Sequence, residues 1–364
     1  MNKKTAQTRL GRLRRQLRGQ ALDALIVTNP ANVTYLTGFL GEDSWLLVGP
    51  RTVLVTDSRY IEQAHDECVG GQIHQRTEPM IPAVAGLLNR WKQVATVGIE
   101  DTCTMAQFRA IRKALKKNKT LKAVGSPVGP LRQIKDADEA DQVRRAARAG
   151  WTALARALAH LRPGLTEGEL AGELESQMRR MGLRPAFDTI VCFGPNGSRN
   201  HHQPGSRKLR KADTILIDFG VRRNGYCSDT TRTFAFGKAG EEFTRAYEAV
   251  RAAQQAAIEQ IRPGAALKTI DAAAREAIAR RGFEPHGHGT GHGLGLAVHE
   301  EPYLAKTAKG RLQTGHLLTV EPGIYIPGRF GIRIEDDVLV TESGHRVLTQ
   351  DKQFGFSRPE LSIL

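Results

Sequence analysis

The feature that most restricts the fold of this chain is an internal repeat. Leu161-Arg-Pro-Gly164 and Ile261-Arg-Pro-Gly264 stand one hundred residues apart. Each follows a long helical pattern and precedes an amphipathic one, which ends at Met181-Gly182-Leu183 in the first copy and at Arg281-Gly282-Phe283 in the second. In the first copy Thr166 and Glu169 are spaced as a capping box. Each copy then reaches an apolar strand carrying a carboxylate, Ile215-Leu-Ile-Asp218 and Leu317-Leu-Thr-Val-Glu321, and supplies a second acid further on, Asp229 and Glu335. A chance tripeptide would not share this order of helix, turn, helix, strand and acid. Two α/β halves packed about a pseudo-twofold axis would bring the four acids together at the centre.

Ahead of the repeat, residues 1–130 alternate short apolar runs with helical patterns and read as a separate α/β domain. Ala24–Val27, Trp45–Val48, Val53–Val55 and Thr96–Ile99 are expected strands; 59–68 and 105–117 are expected helices. Leu10, Leu13, Leu17 and Leu22 form the inner stripe of an amphipathic helix. Gly125-Ser-Pro-Val-Gly-Pro130 marks the boundary, and a long charged helix from about Asp136 to His160 opens a second domain, residues 131–364. With 364 residues, each domain is long enough to bury its own core.

Composition narrows the class. No apolar run approaches the ~20 residues of a membrane span. The basic N-terminus has no apolar stretch of a secretory signal behind it. Cys68, Cys103, Cys192 and Cys227 form no CxxC pair and read as reduced cysteines of a cytoplasmic protein. The net charge of +15 is concentrated in two acid-free stretches, residues 1–20 and 109–122. No aromatic residues interleave with those cations to stack on bases, so solvated helix faces are expected there rather than a nucleic-acid partner.

The chemistry lies in the repeat. Asp218 sits inside an apolar strand, where a lone carboxylate is costly unless paired or bound to a metal. Asp229 follows an Arg223-Asn-Gly225 turn, so the two acids occupy the arms of one hairpin. Glu321 and Glu335 repeat that arrangement. Between the pairs, the stretch from Pro285 to Glu300 holds His286, His288, His292 and His299 interleaved with five glycines, which allow close backbone approach. Four carboxylates and an imidazole form a hard donor set that suits Mn²⁺, Fe²⁺ or Co²⁺ better than a thiolate-type zinc site. Their four negative charges balance two divalent ions, which together can activate water and polarise a carbonyl.

The segments Leu216-Ile-Asp-Phe-Gly220, Ser228-Asp-Thr-Thr-Arg-Thr233, His288-Gly-Thr-Gly-His292, Val298-His-Glu300, Val320-Glu-Pro-Gly-Ile-Tyr325 and Arg333-Ile-Glu-Asp336 resemble the M24 metallopeptidases. These are the Xaa-Pro aminopeptidases, prolidases and methionine aminopeptidases. Leu22 to Gly38 and Thr56-Asp-Ser-Arg-Tyr60 resemble the creatinase/prolidase-type N-terminal domain. The resemblance implies an α/β N-terminal domain followed by an α+β pita-bread catalytic domain with an internal pseudo-twofold repeat. It implies two divalent metals, manganese first, with cobalt, iron or zinc as alternatives. Asp218, Asp229, His292, Glu321 and Glu335 would be the ligands, with Asp229 and Glu335 bridging. His201 and His299 would contact the substrate amide and stabilise the tetrahedral intermediate, and Glu321 joins them as a catalytic residue. His288 and Arg333 match motif positions that shape and support the site; Tyr303, where this chain departs from the prolidase pattern, is expected at the substrate. The chain reads Arg199-Asn-His-His202 where the family commonly has Leu-Pro-His-Gly, so the loop histidine is His201 or His202, with the count from Phe187 favouring His201. Partners would be proline-containing peptides and a second copy in a homodimer, without membrane.

A dipeptidase must hold the free carboxylate directly after proline, best with a cation. Many microbial prolidases carry an arginine in a His-Glu-x-Pro-Arg pattern; this chain has His299-Glu-Glu-Pro-Tyr303. The expectation is therefore an aminopeptidase acting on Xaa-Pro bonds, with the prolidase as alternative if Arg329 or Arg333 supplies the charge. A non-catalytic binding protein or a metal-free creatine hydrolase would not be expected to keep all five ligand positions.

Overall fold

The short apolar runs of the first part of the chain assemble into one six-stranded mixed sheet. In spatial order it runs Gln72–Gln75, Thr52–Thr56, Trp45–Val48, Ala24–Val27, Thr96–Glu100 and Thr120–Val124. Ala24–Val27 is parallel to Thr96–Glu100 on one side and antiparallel to Trp45–Val48 on the other. The four inner strands are buried, whereas the two edge strands, not foreseen from the sequence, are half-exposed. An edge strand has no need of an apolar run on both faces, so periodicity does not announce it. Helices Ile61–Glu67 and Met105–Ala114 are shorter than expected, and Pro30–Thr37 and Met80–Arg90 are further helices.

The basic helix Lys3–Gly19 buries Leu10, Leu13 and Leu17; Leu22 is also buried but lies beyond the helix end, correcting the fourth member of the stripe. Neither basic stretch is wholly a solvated face. Arg9 stacks over the Tyr35 ring, 4.1 Å from its centroid, and donates to the Tyr35 carbonyl at 2.9 Å. Lys119 is buried and its Nζ donates to the Trp91 and Val94 carbonyls. The long aliphatic stems of these cations pack as apolar matter while the heads find acceptors.

The computed structural model describes residues 1–238 and 240–350 and the backbone of 360–361. They form two compact units, Met1–Arg132 and Gln133–Leu364. No helix among the described residues is long and apolar enough to cross a membrane. The four cysteines are free, Cys192 and Cys227 buried and the other two half-buried.

The second unit repeats itself. Helices Ala137–Leu158 and Glu167–Arg180 precede strands Ile190–Phe193, Thr214–Phe219 and Thr230–Phe236. Helices Glu241–Glu259 and Leu267–Ala279 precede strands Gly291–Gly293, Leu317–Val320 and Asp336–Thr341. Asp136 and Thr166 both close capping boxes. The repeat extends to single hydrogen bonds. Gly164 and Gly264 are both left-handed, at φ +87° and +84°, and their N–H groups donate to the Leu209 and Leu312 carbonyls at 2.9 and 2.8 Å. Glycine adopts that conformation without the Cβ clash other residues meet. Each half closes over its own core, one centred on Leu170, Leu174, Ile215 and Ile217, the other on Val250, Ile270, Leu318 and Val338. This is the pita-bread architecture with its internal pseudo-twofold repeat.

Candidate metal centre

Hairpins carry the acids to the middle of this unit. Thr214–Phe219 pairs antiparallel with Thr230–Phe236, setting Asp218 opposite Thr231 and leaving Asp229 one residue before the strand. The connection folds back through Asn224 and Gly225, both with positive φ, as a two-residue turn requires. In the other half Val320 pairs with Asp336, so Glu321 and Glu335 flank the last rung. The two halves are sewn together at this point. The Glu335 N–H donates to the Thr231 carbonyl at 3.1 Å, and Thr231 Oγ1 donates to Glu335 Oε2 at 2.7 Å.

Asp229, His292 and Glu335 offer ligand atoms that all lie within 4.8 Å of one another. His292 Nε2 is 3.7 Å from Asp229 Oδ2 and 3.5 Å from Glu321 Oε1. Its Nδ1 lies 3.0 Å from the Gly293 carbonyl, an acceptor only, so Nδ1 carries the proton and the Nε2 lone pair faces the acids. Burial pushes the His292 ring down to about 4, which keeps it neutral. Asp218 lines the same cavity from a half-buried position, less enclosed than its apolar strand suggested, because its side chain opens on that cavity. Arg333 Nη2 donates to Asp218 Oδ2 at 2.6 Å.

The cavity holds about 480 Å³ and is lined by Asp218, Asp229, His292, Glu321 and Glu335 together with His201, His288, His299, Tyr303 and Arg333. The rings of His292 and His299 sit edge to face, 4.4 Å between centroids. His201 is exposed on the cavity wall, whereas His202 turns away and donates to Glu167 at 2.9 Å. His288 is held by its neighbours: Nδ1 donates to the Gly289 carbonyl at 2.7 Å and Nε2 accepts from the Tyr325 hydroxyl at 2.9 Å. That hydroxyl in turn accepts from Arg333 Nη1 at 3.1 Å. Tyr325 stood within a motif but with no role attached; its part follows from a hydrogen bond to a residue thirty-seven positions away in sequence.

The electrostatics call for cations. Burial, and then the neighbouring Glu335 and Asp218, hold the Asp229 carboxyl well above the usual carboxylate range. Burial, then Glu321 and Asp218, do the same to Glu335. Burial lifts Glu321 to about 7 against the pull of Arg333. One oxygen of Asp218 is buried without a hydrogen-bond partner. A neutral imidazole lone pair, crowded carboxylates and an unpartnered carboxylate oxygen around one cavity fit a hard divalent metal.

An acid-and-histidine centre on a pita-bread scaffold is the equipment of a metallohydrolase. Residues 141–342 match the model of metallopeptidase family M24 and residues 9–134 that of the creatinase/prolidase N-terminal domain; the chain belongs to this family. It is 36% identical to an uncharacterized peptidase of Bacillus subtilis over 92% of this chain and 96% of the relative. Among solved structures it is similar to an Xaa-Pro dipeptidase from Bacillus anthracis (34% identity, TM-score 0.91, 96% of this chain and 98% of that one). It is also similar to an X-Pro aminopeptidase from Thermotoga maritima (32% identity, TM-score 0.86, 93% and 98%).

Proposed function

We propose that the protein is a two-metal aminopeptidase that cleaves the Xaa-Pro bond at peptide N-termini. Asp218, Asp229, His292, Glu321 and Glu335 would hold the ions, with manganese the preferred metal. When bound, such ions supply an activated water and a polarised carbonyl. His201 and His299, facing the cavity from two different loops, donate to the substrate amide and to the oxyanion that forms as water adds. Glu321 accepts a proton from the attacking water and passes it to the proline nitrogen as the C–N bond breaks, so the products are a free carboxylate and a secondary amine. Proline lacks an amide N–H and has φ near −65°, so a pocket shaped to its ring distinguishes this bond from ordinary amides.

One observation favours aminopeptidase over dipeptidase: the arginine lining the cavity is already engaged. Arg333 is buried and bonded to Asp218, Tyr325 and Thr231. Arg329 pairs with Glu242 on the surface. Tyr303, at the position where many prolidases have arginine, is 43% exposed at the cavity and carries no charge. Among the described residues, a substrate ending at proline would find no cation left free for its carboxylate there, and one continuing beyond proline would lose nothing. The test is kcat/KM for an Xaa-Pro-Yaa tripeptide over that for the Xaa-Pro dipeptide. The ratio is expected well above one and to fall in Tyr303→Arg; a clear preference for the dipeptide makes the protein a prolidase. The family resemblance supports a homodimer and the four unpaired cysteines a cytoplasmic location; sedimentation of the metal-loaded protein at micromolar concentration and cell fractionation check them.

A further inference from the structure

Glu167 is wholly buried at the first turn of helix Glu167–Arg180, yet it is not a ligand candidate and the mechanism leaves it without a task. Its two carboxylate oxygens accept four hydrogen bonds, one from the last residue of strand Ile190–Phe193 and three from the segment beyond it that carries His201. Oε1 accepts from the Phe193 N–H at 2.7 Å and from Asn196 Nδ2 at 2.9 Å. Oε2 accepts from His202 Nε2 at 2.9 Å and from the Gly205 N–H at 3.2 Å. The contacts fall on both sides of His201 in sequence, one of them on the adjacent residue. Burying a carboxylate is costly unless donors satisfy it, and four donors at a helix N-terminus do so. The far side of the loop is equally constrained: a Cβ on Gly197 would lie 2.8 Å from the Gly331 nitrogen, so the loop packs directly on the strand that ends in Arg333.

The other half of the repeat has a counterpart. Asp271, also wholly buried and on the equivalent helix Leu267–Ala279, accepts from Thr290 N and Oγ1 at 3.2 and 2.8 Å and from Arg275 Nε at 2.7 Å. Arg275 donates to the carbonyls of His286 and His288. Each half therefore uses one buried acid to hold the histidine loop beside it. The two acids do not occupy matching positions of the repeat, so this is a shared task rather than a residue carried along by symmetry.

We propose that Glu167 is a positioning residue: it fixes the 193–205 loop through His202, Asn196 and the backbone, and thereby sets His201 against the substrate amide. This rests on the reading of His201 as a substrate-contacting residue. It predicts energetic coupling between Glu167 and His201, which a residue serving the fold alone would not have.

The experiment is a double-mutant cycle on the metal-loaded enzyme with a tripeptide substrate, with metal content and thermal midpoint measured for every variant. Glu167→Gln turns one acceptor oxygen into a donor facing N–H groups. It is expected to lower kcat by roughly 10-fold or more, with KM within about twofold and bound metal unchanged. In a His201→Ala background the same substitution should cost no further activity. His202→Asn, a milder break of the same anchor, should reproduce the pattern at smaller size and serves if Glu167→Gln does not fold. Losses that multiply in the double variant overturn the proposal, as does metal loss in Glu167→Gln. An inactive His201→Ala beside a fully active Glu167→Gln overturns the clamp alone, whereas a fully active His201→Ala overturns the reading beneath it.

Discussion

Arg333 Nη2 lies 2.6 Å from Asp218 Oδ2, and the same guanidinium reaches Thr231 Oγ1 at 3.0 Å and the Tyr325 hydroxyl at 3.1 Å. A cation so occupied fixes the wall of the site. Arg333→Met should therefore lower kcat for Xaa-Pro dipeptides and Xaa-Pro-Yaa tripeptides by the same factor, roughly 10-fold or more. Steady-state kinetics on the two substrates side by side decide it. A loss confined to the dipeptide would mean that Arg333 receives the substrate carboxylate.

Removing a carboxylate from the cluster should remove metal as well as activity. Asp218→Ala or Glu335→Ala is expected to reduce activity by ~10²-fold or more, with less bound metal by elemental analysis. Chelation should inactivate the unmodified protein and added Mn²⁺ should restore it. Full activity in chelator-treated, metal-free protein would end the two-metal account.

The histidines should separate by what each loss takes away. His292→Ala is expected to lower metal content, because its Nε2 faces Asp229 and Glu321. His201→Ala and His299→Ala should lower kcat with metal content near that of the unmodified protein. His202→Ala should be milder than His201→Ala, since His202 points to Glu167 instead of the cavity. The reverse order would place the catalytic histidine one residue later in the chain.

Metal-free protein should lose stability as pH rises. Glu321 titrates near 4.5 in an unfolded chain and at about 7 in the fold, through burial first. Over that window the folded state binds more protons than the unfolded one, so unfolding free energy falls with pH. The stabilisation is complete below 4.5 and lost on passing about 7; Asp229 and Glu335 act in the same direction. Thermal midpoints of chelated protein at pH 5 and 7.5 should show the decline. It should shrink in Glu321→Gln and vanish with saturating Mn²⁺, which replaces the protons. A midpoint that does not fall over this range would count against a carboxylate cluster held together by metal.

Much of this molecule is legible along the chain. The Arg-Pro-Gly turns, the apolar strands ending in acids and the glycine-spaced histidines are local patterns, and local patterns specify helices, strands and turns because those depend on neighbours a few residues apart. The order of the motifs groups Asp218, Asp229, His292, Glu321 and Glu335 as one expected set, and the five residues line one cavity. Periodicity could not show the edge strands Gln72–Gln75 and Thr120–Val124, whose outer sides need no apolar residues. Nor could it choose between His201 and His202, adjacent residues of one type: packing turns one to the cavity and the other to Glu167. Arg333 matched a motif from the start, but its engagement with Asp218 joins residues more than a hundred positions apart. Buried polar groups must find partners wherever packing brings donors and acceptors together. Which ones meet is decided by the way the two halves close on each other, so those assignments belong to the tertiary structure.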